Sequence, residues 1–318
     1  MTATPSLGGS VHHGIHTVDT GFHRPNFDAA YLMVEGGRAA FIDTGTTHSV
    51  PRLLAALASA GLKPEDADWV IVTHVHLDHA GGAGALMQAL PNARLLVHPR
   101  GERHMVDPSA LIAGASEVYG ADEVARAYGT IAPIPKERVV VSHDGMAVQL
   151  AGRTLTLLDT PGHAKHHHCI WDERSKSFFT GDTFGLSYRE FDTAQGPWLL
   201  PTTTPVHFDP PALKASVQRL LSYRPESMYL THYGRVQGVA ALGATLLEQI
   251  DELVQLALPM RDAADRHAGL KQALSGTYLK RVRAHGCTLP DTEVLHLLEN
   301  DIELNAQGIG VWLAGDKR

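Results

Sequence analysis

The sequence predicts an α/β fold, because strand-like and helix-like stretches alternate through the first half of the chain. Two apolar runs, Ala29–Val34 and Ala39–Asp43, are predicted strands and are joined by a Glu-Gly-Gly turn. A helix is predicted at Val50–Gly61, where Ser49 is a suitable N-cap and a glycine ends the segment. The short β-branched run Trp69–Val72 predicts a further, buried strand.

The same patterns extend along the rest of the chain. A small-residue helix is expected at Ala80–Leu90, where two glycines would let it pack closely on a sheet. Further strands are expected at Arg94–Val97, Arg138–Val141, Ala147–Leu150, Thr154–Asp159, His168–Trp171, Ser177–Thr180, Ser227–Leu230 and Gly310–Leu313. Further helices are expected at Pro108–Ala115, Ala121–Tyr128, Pro210–Tyr223, Val236–Leu258, Asp262–Ala284 and Asp291–Asn300.

The order of these elements predicts a main domain at residues 1–258 and a mostly helical C-terminal extension at 259–318. Residues 99–136 interrupt the strands with a helical insertion, and such insertions often overhang a functional site. The extension carries no candidate site residue. We therefore expect it to pack on the main domain or on a second subunit, and we predict a homodimer formed through it.

Composition limits the classes of protein to which this chain can belong. Its 318 residues are 44% apolar and 19% charged, which is typical of a globular protein. The net charge of −7 argues against nucleic acid or an anionic membrane as the main partner. Two cysteines cannot form a disulfide framework, Met1–Ser10 lacks the features of a signal peptide, and no segment is as apolar as a membrane span. We therefore expect a soluble, cytoplasmic protein.

One motif concentrates metal-binding side chains within six residues. The segment Thr73–Gly82 reads Thr-His-Val-His-Leu-Asp-His-Ala-Gly-Gly and directly follows the predicted strand Trp69–Val72. Because side chains two apart on a strand point the same way, we expect His74 and His76 to share one face. A soluble protein rarely concentrates so many polar groups without a cation that offsets the cost of burying them. The candidate ligands in this motif are His74, His76, Asp78 and His79.

Three later strands also end in a residue that binds metals. His163 follows a strand and a Pro-Gly turn, Asp182 follows the strand Ser177–Thr180, and His232 follows Ser227–Leu230. If these strands are neighbours, the side chains converge at one sheet edge, as in catalytic sites built on loops of a stiff scaffold. The run His166–His168 is interpreted as turn and strand-start residues, one of which could line a pocket.

In this ordered set of motifs, from Asp28 to Tyr233, the chain resembles the metallo-β-lactamase-fold hydrolases, and among them the glyoxalase-II-like and lactonase-like branch. The set comprises His-x-His-x-Asp-His, a later Gly-His, a Gly-Asp-Thr and a final strand-end histidine; Phe41–Gly45, Phe-Ile-Asp-Thr-Gly, matches a further family feature. The resemblance implies an αβ/βα sandwich of two mixed β-sheets with outer helices, followed here by the C-terminal helical extension.

The resemblance also implies roles for single residues. His74, His76 and His163 would hold one metal ion, whereas Asp78, His79 and His232 would hold a second, and Asp182 would bridge the two. The ions would be divalent, most simply zinc, with iron or manganese as alternatives; no organic cofactor is implied. Other residues are predicted to orient the histidines (Asp43, Thr73 and Thr160), to act in catalysis (Asp78 and Asp182) or to face the substrate (Tyr188).

Two cations can share and ionise a water molecule, and the bridging hydroxide can then attack an acyl carbon. We therefore predict a metal-dependent hydrolase of a small ester, lactone or thioester. True glyoxalase II activity is less favoured, because the chain offers only a weak cationic group, at Lys280, Arg281 and Arg283, for gripping glutathione. Two alternatives stay open: a non-catalytic protein that binds metals and a metabolite or partner, and a mono-iron enzyme resembling persulfide dioxygenases.

Overall fold

In the computed structural model, residues 11–315 are described. They divide into two units, each assembled from three segments of the chain. Unit 1 comprises residues 11–159, 166–181 and 226–237, and unit 2 comprises 160–165, 182–225 and 238–315. The expectation about a signal peptide at Met1–Ser10 lies outside the described residues. The predicted division into domains at residue 258 stays a prediction.

Unit 1 contains two six-stranded sheets. The first has the order β1-β2-β3-β4-β5-β6, and its strands are Ile15–Asp19, Ala29–Glu35, Arg38–Ile42, Ala67–Ile71, Arg94–Val97 and Val139–Val141. The second has the order β12-β11-β10-β9-β8-β7, and its strands, numbered from β7, are Ala147–Leu150, Arg153–Asp159, His168–Asp172, Ser177–Gly181, Ser227–Leu230 and Gly234–Val236.

Both sheets are mixed. Strands β3 to β6 are parallel to one another, whereas β2 pairs antiparallel with both of its neighbours, β1 and β3. In the second sheet only β10 and β11 are parallel. The inner faces of the two sheets share one apolar core, in which Tyr31, Ile42 and Leu96 of the first sheet join Leu157 and Phe179 of the second. This confirms the two mixed sheets that the sequence analysis expected.

The helices of unit 1 are α1 (Val50–Ser59), α2 (Leu77–Ala80), α3 (Ala83–Ala89), α4 (Glu102–Val106), α5 (Ser109–Tyr119) and α6 (Ala121–Tyr128). Leu53, Leu57 and Leu86 of these helices contribute to a second apolar core on the outer face of the first sheet, together with Phe41 and Val70. Their burial removes apolar surface from water, which stabilises the layer.

Unit 2 contains the remaining helices, α7 (Pro210–Ser222), α8 (Val239–Ala257), α9 (Arg266–Ala284), α10 (Asp291–Leu297) and α11 (Glu299–Gly315). Asp209 caps α7 by accepting a hydrogen bond from the backbone of Ala212 at 3.0 Å. Asn305 of α11 is fully buried, and its amide donates to the Tyr278 hydroxyl at 2.8 Å and accepts from the backbone of Thr203 at 2.7 Å. These bonds tie α9 and α11 to a long loop.

Several predicted elements differ from the structure. The segment Gly310–Leu313 is helical and belongs to α11, so the predicted strand is wrong. The predicted helix Ala80–Leu90 is divided at Gly81 and Gly82 into α2 and α3. The strand before the histidine motif ends at Ile71, so His74 and His76 lie in a loop rather than on a strand face. Strands β1 and β12 were not predicted.

None of the helices within residues 11–315 is long and apolar enough to cross a membrane.

Candidate metal centre

The loop after β4 carries the first two candidate ligands. His74 is fully buried, and its Nε2 lies 2.7 Å from Nδ1 of His76. The loop is fixed at Thr73, whose carbonyl accepts a hydrogen bond from the backbone of His168 at 2.9 Å. The Thr73 hydroxyl also lies 3.2 Å from Nδ1 of His74. The two imidazoles therefore lie close together even though no strand aligns them.

Helix α2 and the end of β11 bring three more candidates together. His79 Nε2 and His232 Nε2 lie 3.6 Å and 3.3 Å from the same carboxylate oxygen, Oδ2 of Asp78. The ligand atoms of these residues all lie within 4.8 Å of one another, and both histidines are buried. Two imidazole nitrogens and a carboxylate oxygen are donors that suit zinc, iron or manganese. This cluster, the Asp78–His79–His232 trio, therefore fits a divalent cation.

Asp43, at the end of β3, orients the trio. Its buried carboxylate accepts hydrogen bonds from His79 Nδ1 at 3.0 Å, from the backbone of Thr73 at 2.7 Å and from the Thr231 hydroxyl at 2.9 Å. Because His79 donates through Nδ1, its neutral tautomer has an unprotonated Nε2, which is the form that binds a metal. The orienting roles predicted for Asp43 and Thr73 stay predictions, and this geometry supports them.

A buried carboxylate that the sequence analysis missed lies beside His232. Asp28 is fully buried, accepts a hydrogen bond from the Thr20 hydroxyl at 3.1 Å, and places Oδ1 3.9 Å from Nδ1 of His232. Burial raises the pKa of its carboxyl to about 8, although the nearby imidazole of His232 opposes the rise. The only signal in the sequence was an acidic residue directly before the apolar strand β2.

Unit 2 holds the remaining pair of predicted ligands. His163 Nε2 lies 3.2 Å from Oδ2 of Asp182, and His163 Nδ1 lies 3.2 Å from the carbonyl of Thr202. The turn before the histidine needs Gly162, which has a φ of +135° and would place a Cβ 2.4 Å from the backbone of Leu213. The carbonyl of Thr202 therefore fixes the tautomer of His163 in the way that the Asp43 carboxylate fixes the tautomer of His79.

Two other predicted residues of unit 2 have contacts of a different kind. The Tyr188 hydroxyl donates to the Asp301 carboxylate at 3.1 Å, and the ring is almost fully buried. The carbonyl of Thr160 accepts from the Thr183 hydroxyl at 3.4 Å. The roles assigned to Tyr188, facing the substrate, and to Thr160, orienting a histidine, stay predictions.

The histidine run contributes more to this region of unit 1 than its interpretation as turn and strand-start residues implied. The His167 ring stacks on His74 with a centroid distance of 4.7 Å, and the His166 ring meets His76 edge-on at 5.3 Å. His168 begins β9 as expected, and its Nε2 donates to the carbonyl of Val72 at 2.8 Å. The three consecutive histidines thus contact three different residues.

Comparison with known proteins gives the family. The model of the metallo-beta-lactamase superfamily matches residues 23–232, about two thirds of the chain. The chain belongs to the metallo-β-lactamase superfamily. The matched range contains all seven predicted ligands and every strand from β2 to β11.

Individual members of the superfamily resemble the chain at low identity. The metallo-β-lactamase-fold protein ST1585 of Sulfurisphaera tokodaii is 25% identical over 228 residues, which cover 70% of this chain and 79% of ST1585. The crystal structure of ST1585 superposes with a TM-score of 0.66 at 21% identity, covering 94% of this chain and 98% of that one. The two mixed sheets, the accompanying helices and the C-terminal helices thus form a metallo-β-lactamase fold, as predicted.

Two relatives named for hydrolytic activities match over shorter segments. The atrochrysone carboxyl ACP thioesterase of Aspergillus fumigatus is 28% identical over 153 residues, covering 48% of this chain and 38% of the thioesterase. The hydroxyacylglutathione hydrolase of Anaeromyxobacter dehalogenans is 38% identical over 88 residues, covering 28% of this chain and 31% of the hydrolase. The chain therefore spans only about a third of each of these two relatives.

Proposed function

We propose that this protein is a metal-dependent hydrolase that cleaves a small carboxylic ester, lactone or thioester. The observation that carries the proposal is the Asp78–His79–His232 trio, in which two buried imidazoles face one carboxylate oxygen at 3.6 Å and 3.3 Å. Two imidazole nitrogens and a carboxylate oxygen grouped this closely form a donor set that suits a divalent cation.

The proposed centre holds two ions. As the family resemblance implies, the trio would hold one of them, His74, His76 and His163 would hold the other, and Asp182 would be a ligand of both. The donor atoms are all nitrogen and oxygen, and we propose zinc, with iron and manganese as alternatives. Cations bound there supply Lewis acidity toward a carbonyl oxygen and a water whose pKa is lowered to near neutrality.

Residues around the predicted ligands hold the histidine rings in position. Asp43 accepts a hydrogen bond from Nδ1 of His79, which leaves Nε2 of that ring unprotonated and able to bind a metal ion. The carbonyl of Thr202 does the same for His163. Asp78 provides negative charge beside both imidazoles of the trio. Because Asp43 is itself held by Thr73 and Thr231, these ligands are fixed before a substrate arrives, as catalytic sites require.

The relatives support hydrolysis of an acyl bond. Two of them are named for it, a carboxyl ACP thioesterase and a hydroxyacylglutathione hydrolase. A small-molecule substrate, a cytoplasmic location and a homodimer stay predictions.

The test is an assay of zinc-, iron- and manganese-loaded protein against p-nitrophenyl acetate, an acyl-homoserine lactone and an acyl-glutathione thioester. We expect turnover of at least one substrate, loss of that turnover with a chelator, and a loss of at least 100-fold in Asp182→Ala. Asp192→Ala removes an exposed carboxylate ten residues along the chain and is the control.

Three outcomes would contradict the proposal. Turnover that survives both the chelator and Asp182→Ala would exclude a metal mechanism. Tight metal binding with no turnover of any substrate would favour the non-catalytic alternative. Oxygen consumption with a glutathione persulfide by the iron-loaded protein would favour the mono-iron alternative.

A further inference from the structure

Helix α11 reaches a predicted metal ligand through one loop of unit 2. The helix lies beyond residues 23–232, the range that the superfamily model matches. Asn305 of this helix is fully buried, and its side-chain amide binds the loop at two points. Its oxygen accepts a hydrogen bond from the backbone N–H of Thr203 at 2.7 Å, and its nitrogen donates to the carbonyl of Pro201 at 3.2 Å. The residue between them, Thr202, is therefore held on both sides.

The carbonyl of Thr202 is the hydrogen-bond acceptor of a predicted ligand. Nδ1 of His163 lies 3.2 Å from this oxygen. A carbonyl can only accept, so Nδ1 carries the proton and Nε2 is the unprotonated nitrogen, which is the form that binds a metal. The Thr202 carbonyl and the Thr203 N–H belong to one trans peptide unit, which is planar and directs them to opposite sides. One rigid unit thus joins the Asn305 amide to the His163 ring.

The loop also packs against α11 with no space for a side chain between them. The Cβ of an alanine at Gly308 would overlap the hydroxyl oxygen of Thr203 and the carbonyl oxygen of Thr204. The Thr203 hydroxyl donates to the carbonyl of Leu304 at 3.2 Å. By contrast, a Cβ at Gly310 of the same helix would meet nothing within 4 Å. Close contact with the helix therefore fixes the loop in addition to the hydrogen bonds of the amide.

The turn that follows the other predicted ligand of unit 2, Asp182, contacts the same loop. Leu186 and Leu200 exchange two backbone hydrogen bonds, each of 2.9 Å. The backbone N–H of Gly185 donates to the carbonyl of Asp182 at 3.0 Å, and a Cβ added to this glycine would overlap the carbonyl of Leu200. Leu200 directly precedes the segment that is bound to α11. That segment therefore connects α11 to both predicted ligands of unit 2.

We infer that Asn305 is a positioning residue of the metal centre: through the peptide between Thr202 and Thr203 it sets the tautomer and the position of His163. This inference rests on the proposed function. Asn305 is not itself a ligand, since its amide is bonded to the loop and to the Tyr278 hydroxyl at 2.8 Å. The C-terminal helices, which lie outside the matched range, thereby have a role in metal binding as well as in stability.

Two substitutions on α11 disturb the loop by different means, and each has a matched control. Asn305→Ala removes the amide, whereas Tyr278→Phe removes one hydrogen bond of that amide and leaves both of its bonds to the loop. Gly308→Ala pushes the loop away from the helix, whereas Gly310→Ala adds the same methyl group where nothing lies within 4 Å. Tyr278→Phe therefore shows the effect that a purely structural role of Asn305 would have.

The first measurement is zinc binding by the full-length protein, in competition with a chromophoric chelator. We expect one of the two ions to bind about 10-fold more weakly in Asn305→Ala and in Gly308→Ala, at the lower end of the effect of losing a group that orients a ligand. The ion assigned to the Asp78–His79–His232 trio should keep its affinity, as should both ions in the two controls. Unchanged affinities in Asn305→Ala and Gly308→Ala, or equal losses in the controls, would overturn the inference.

The second measurement is the ¹⁵N NMR spectrum of His163 in the full-length protein before metal is added, at about pH 8, where an ordinary histidine is neutral. The chemical shifts of the ring nitrogens distinguish the two tautomers, and His163→Gln identifies the signals. We expect a proton on Nδ1 in the wild type and both controls, and a mixture of tautomers in Asn305→Ala and Gly308→Ala. A proton on Nε2 in the wild type, or wild-type shifts in both of those variants, would overturn the inference.

These measurements separate the inference from the proposed function. If the wild-type protein binds no metal, the hydrolase proposal fails, and the tautomer of His163 decides whether Asn305 positions the ring. If the protein binds metal but hydrolyses nothing, the affinities and the tautomer still decide it. If Asn305→Ala does not fold, Gly308→Ala provides the same test by a different change.

Discussion

His79 donates a hydrogen bond from Nδ1 to the Asp43 carboxylate over 3.0 Å, inside a site where both side chains are almost fully buried. The carboxylate also accepts from Thr73 of the ligand loop and from Thr231 beside His232. One side chain thus fixes the tautomer of one predicted ligand and holds the residues next to two others. The geometry of the trio therefore depends on a residue that is not itself a predicted ligand.

Asp43→Asn should weaken metal binding about 10- to 100-fold, the usual effect of losing the carboxylate that orients a ligating histidine. Asp43 has a φ of +55°, a region that asparagine also tolerates, so the substitution changes the charge and not the backbone. Competition with a chromophoric chelator measures the affinity. Asp68→Asn, at a surface ion pair with Arg38, is the control; equal affinities in the wild type and Asp43→Asn would refute the role of the carboxylate.

Metal removal should lower the melting temperature. A ligand that binds only the folded state at 100 times its Kd stabilises it by about 2.7 kcal/mol, so a chelator should lower the melting temperature by several degrees. Differential scanning fluorimetry of the full chain, with and without chelator, measures the change. His232→Gln should show a smaller chelator effect. A melting temperature that does not respond to chelator or added zinc would argue against bound metal.

The stability of the fold should decrease in acid because of His168. Burial, together with the neighbouring His98, lowers the pKa of His168 to about 3, whereas the unfolded chain has a histidine pKa near 6.5. Below pH 6.5 the unfolded chain therefore binds a proton that the folded chain does not. The contribution is fully present above pH 6.5 and is lost as the pH falls toward 3, at up to about 1.4 kcal/mol per pH unit.

Urea denaturation between pH 7 and 4.5 measures this dependence. His168→Gln keeps a hydrogen-bond donor near Val72 but does not titrate, so its free energy of unfolding should fall less steeply with acid than that of the wild type. His296→Gln, at a side chain that is 82% exposed, should retain the wild-type slope. Identical slopes in all three proteins would show that His168 does not contribute.

Arg153→Met should destabilise unit 1 by about 3–5 kcal/mol, because it leaves the Asp172 carboxylate buried without its partner. Both side chains of this pair are 0% exposed, and Arg153 Nε donates to Asp172 at 2.9 Å. Chemical denaturation measures the loss. Arg174→Met removes a cation that is 56% exposed and should cost less than about 1 kcal/mol. Comparable losses in the two variants would contradict this assignment.

Gly82→Ala should destabilise the protein and weaken metal binding together. A Cβ at this position would lie 2.6 Å from the carbonyl oxygen of Thr46 and 3.0 Å from that of Thr44, both backbone atoms that cannot rotate away. Gly114→Ala, in the exposed helix α5 with nothing within 4 Å, should instead stabilise by about 0.5–1 kcal/mol. Thermal melting and metal titration of both variants check the pair of expectations. A neutral Gly82→Ala would exclude the close approach.

Much of the fold could be predicted because local pattern and tertiary environment agree. Ala147–Leu150 and Ser227–Leu230 are strands with the predicted bounds. The predicted and observed secondary structures differ where tertiary packing determines the conformation. The Gly-Val-Trp-Leu run resembles a strand, but Ile309 and Leu313 are buried one helical turn apart in α11, and a buried Asn305 anchors that helix. Short propensity signals cannot compete with such contacts.

Only part of the candidate site could likewise be predicted from the sequence. The spacing of the histidine motif pointed to four candidate ligands in one short segment, His74, His76, Asp78 and His79. The proximity of His74 and His76, however, comes from a loop and not from a strand, because β4 ends at Ile71. Asp28 gave only a weak signal, since a lone acidic residue before a strand is usually exposed. Its proximity to His232 arises only because the strands β2 and β11 belong to sheets that share a core.

The chain passes several times between its two units, and this limits how the protein can be divided into fragments. The path leaves unit 1 after residue 159, returns at 166, leaves at 182, returns at 226 and leaves again at 238. No single truncation therefore yields either unit alone, and a fragment ending at residue 258 would lack α9, α10 and α11 while keeping the rest of unit 2. Dissection by point substitution, rather than by deletion, suits this protein.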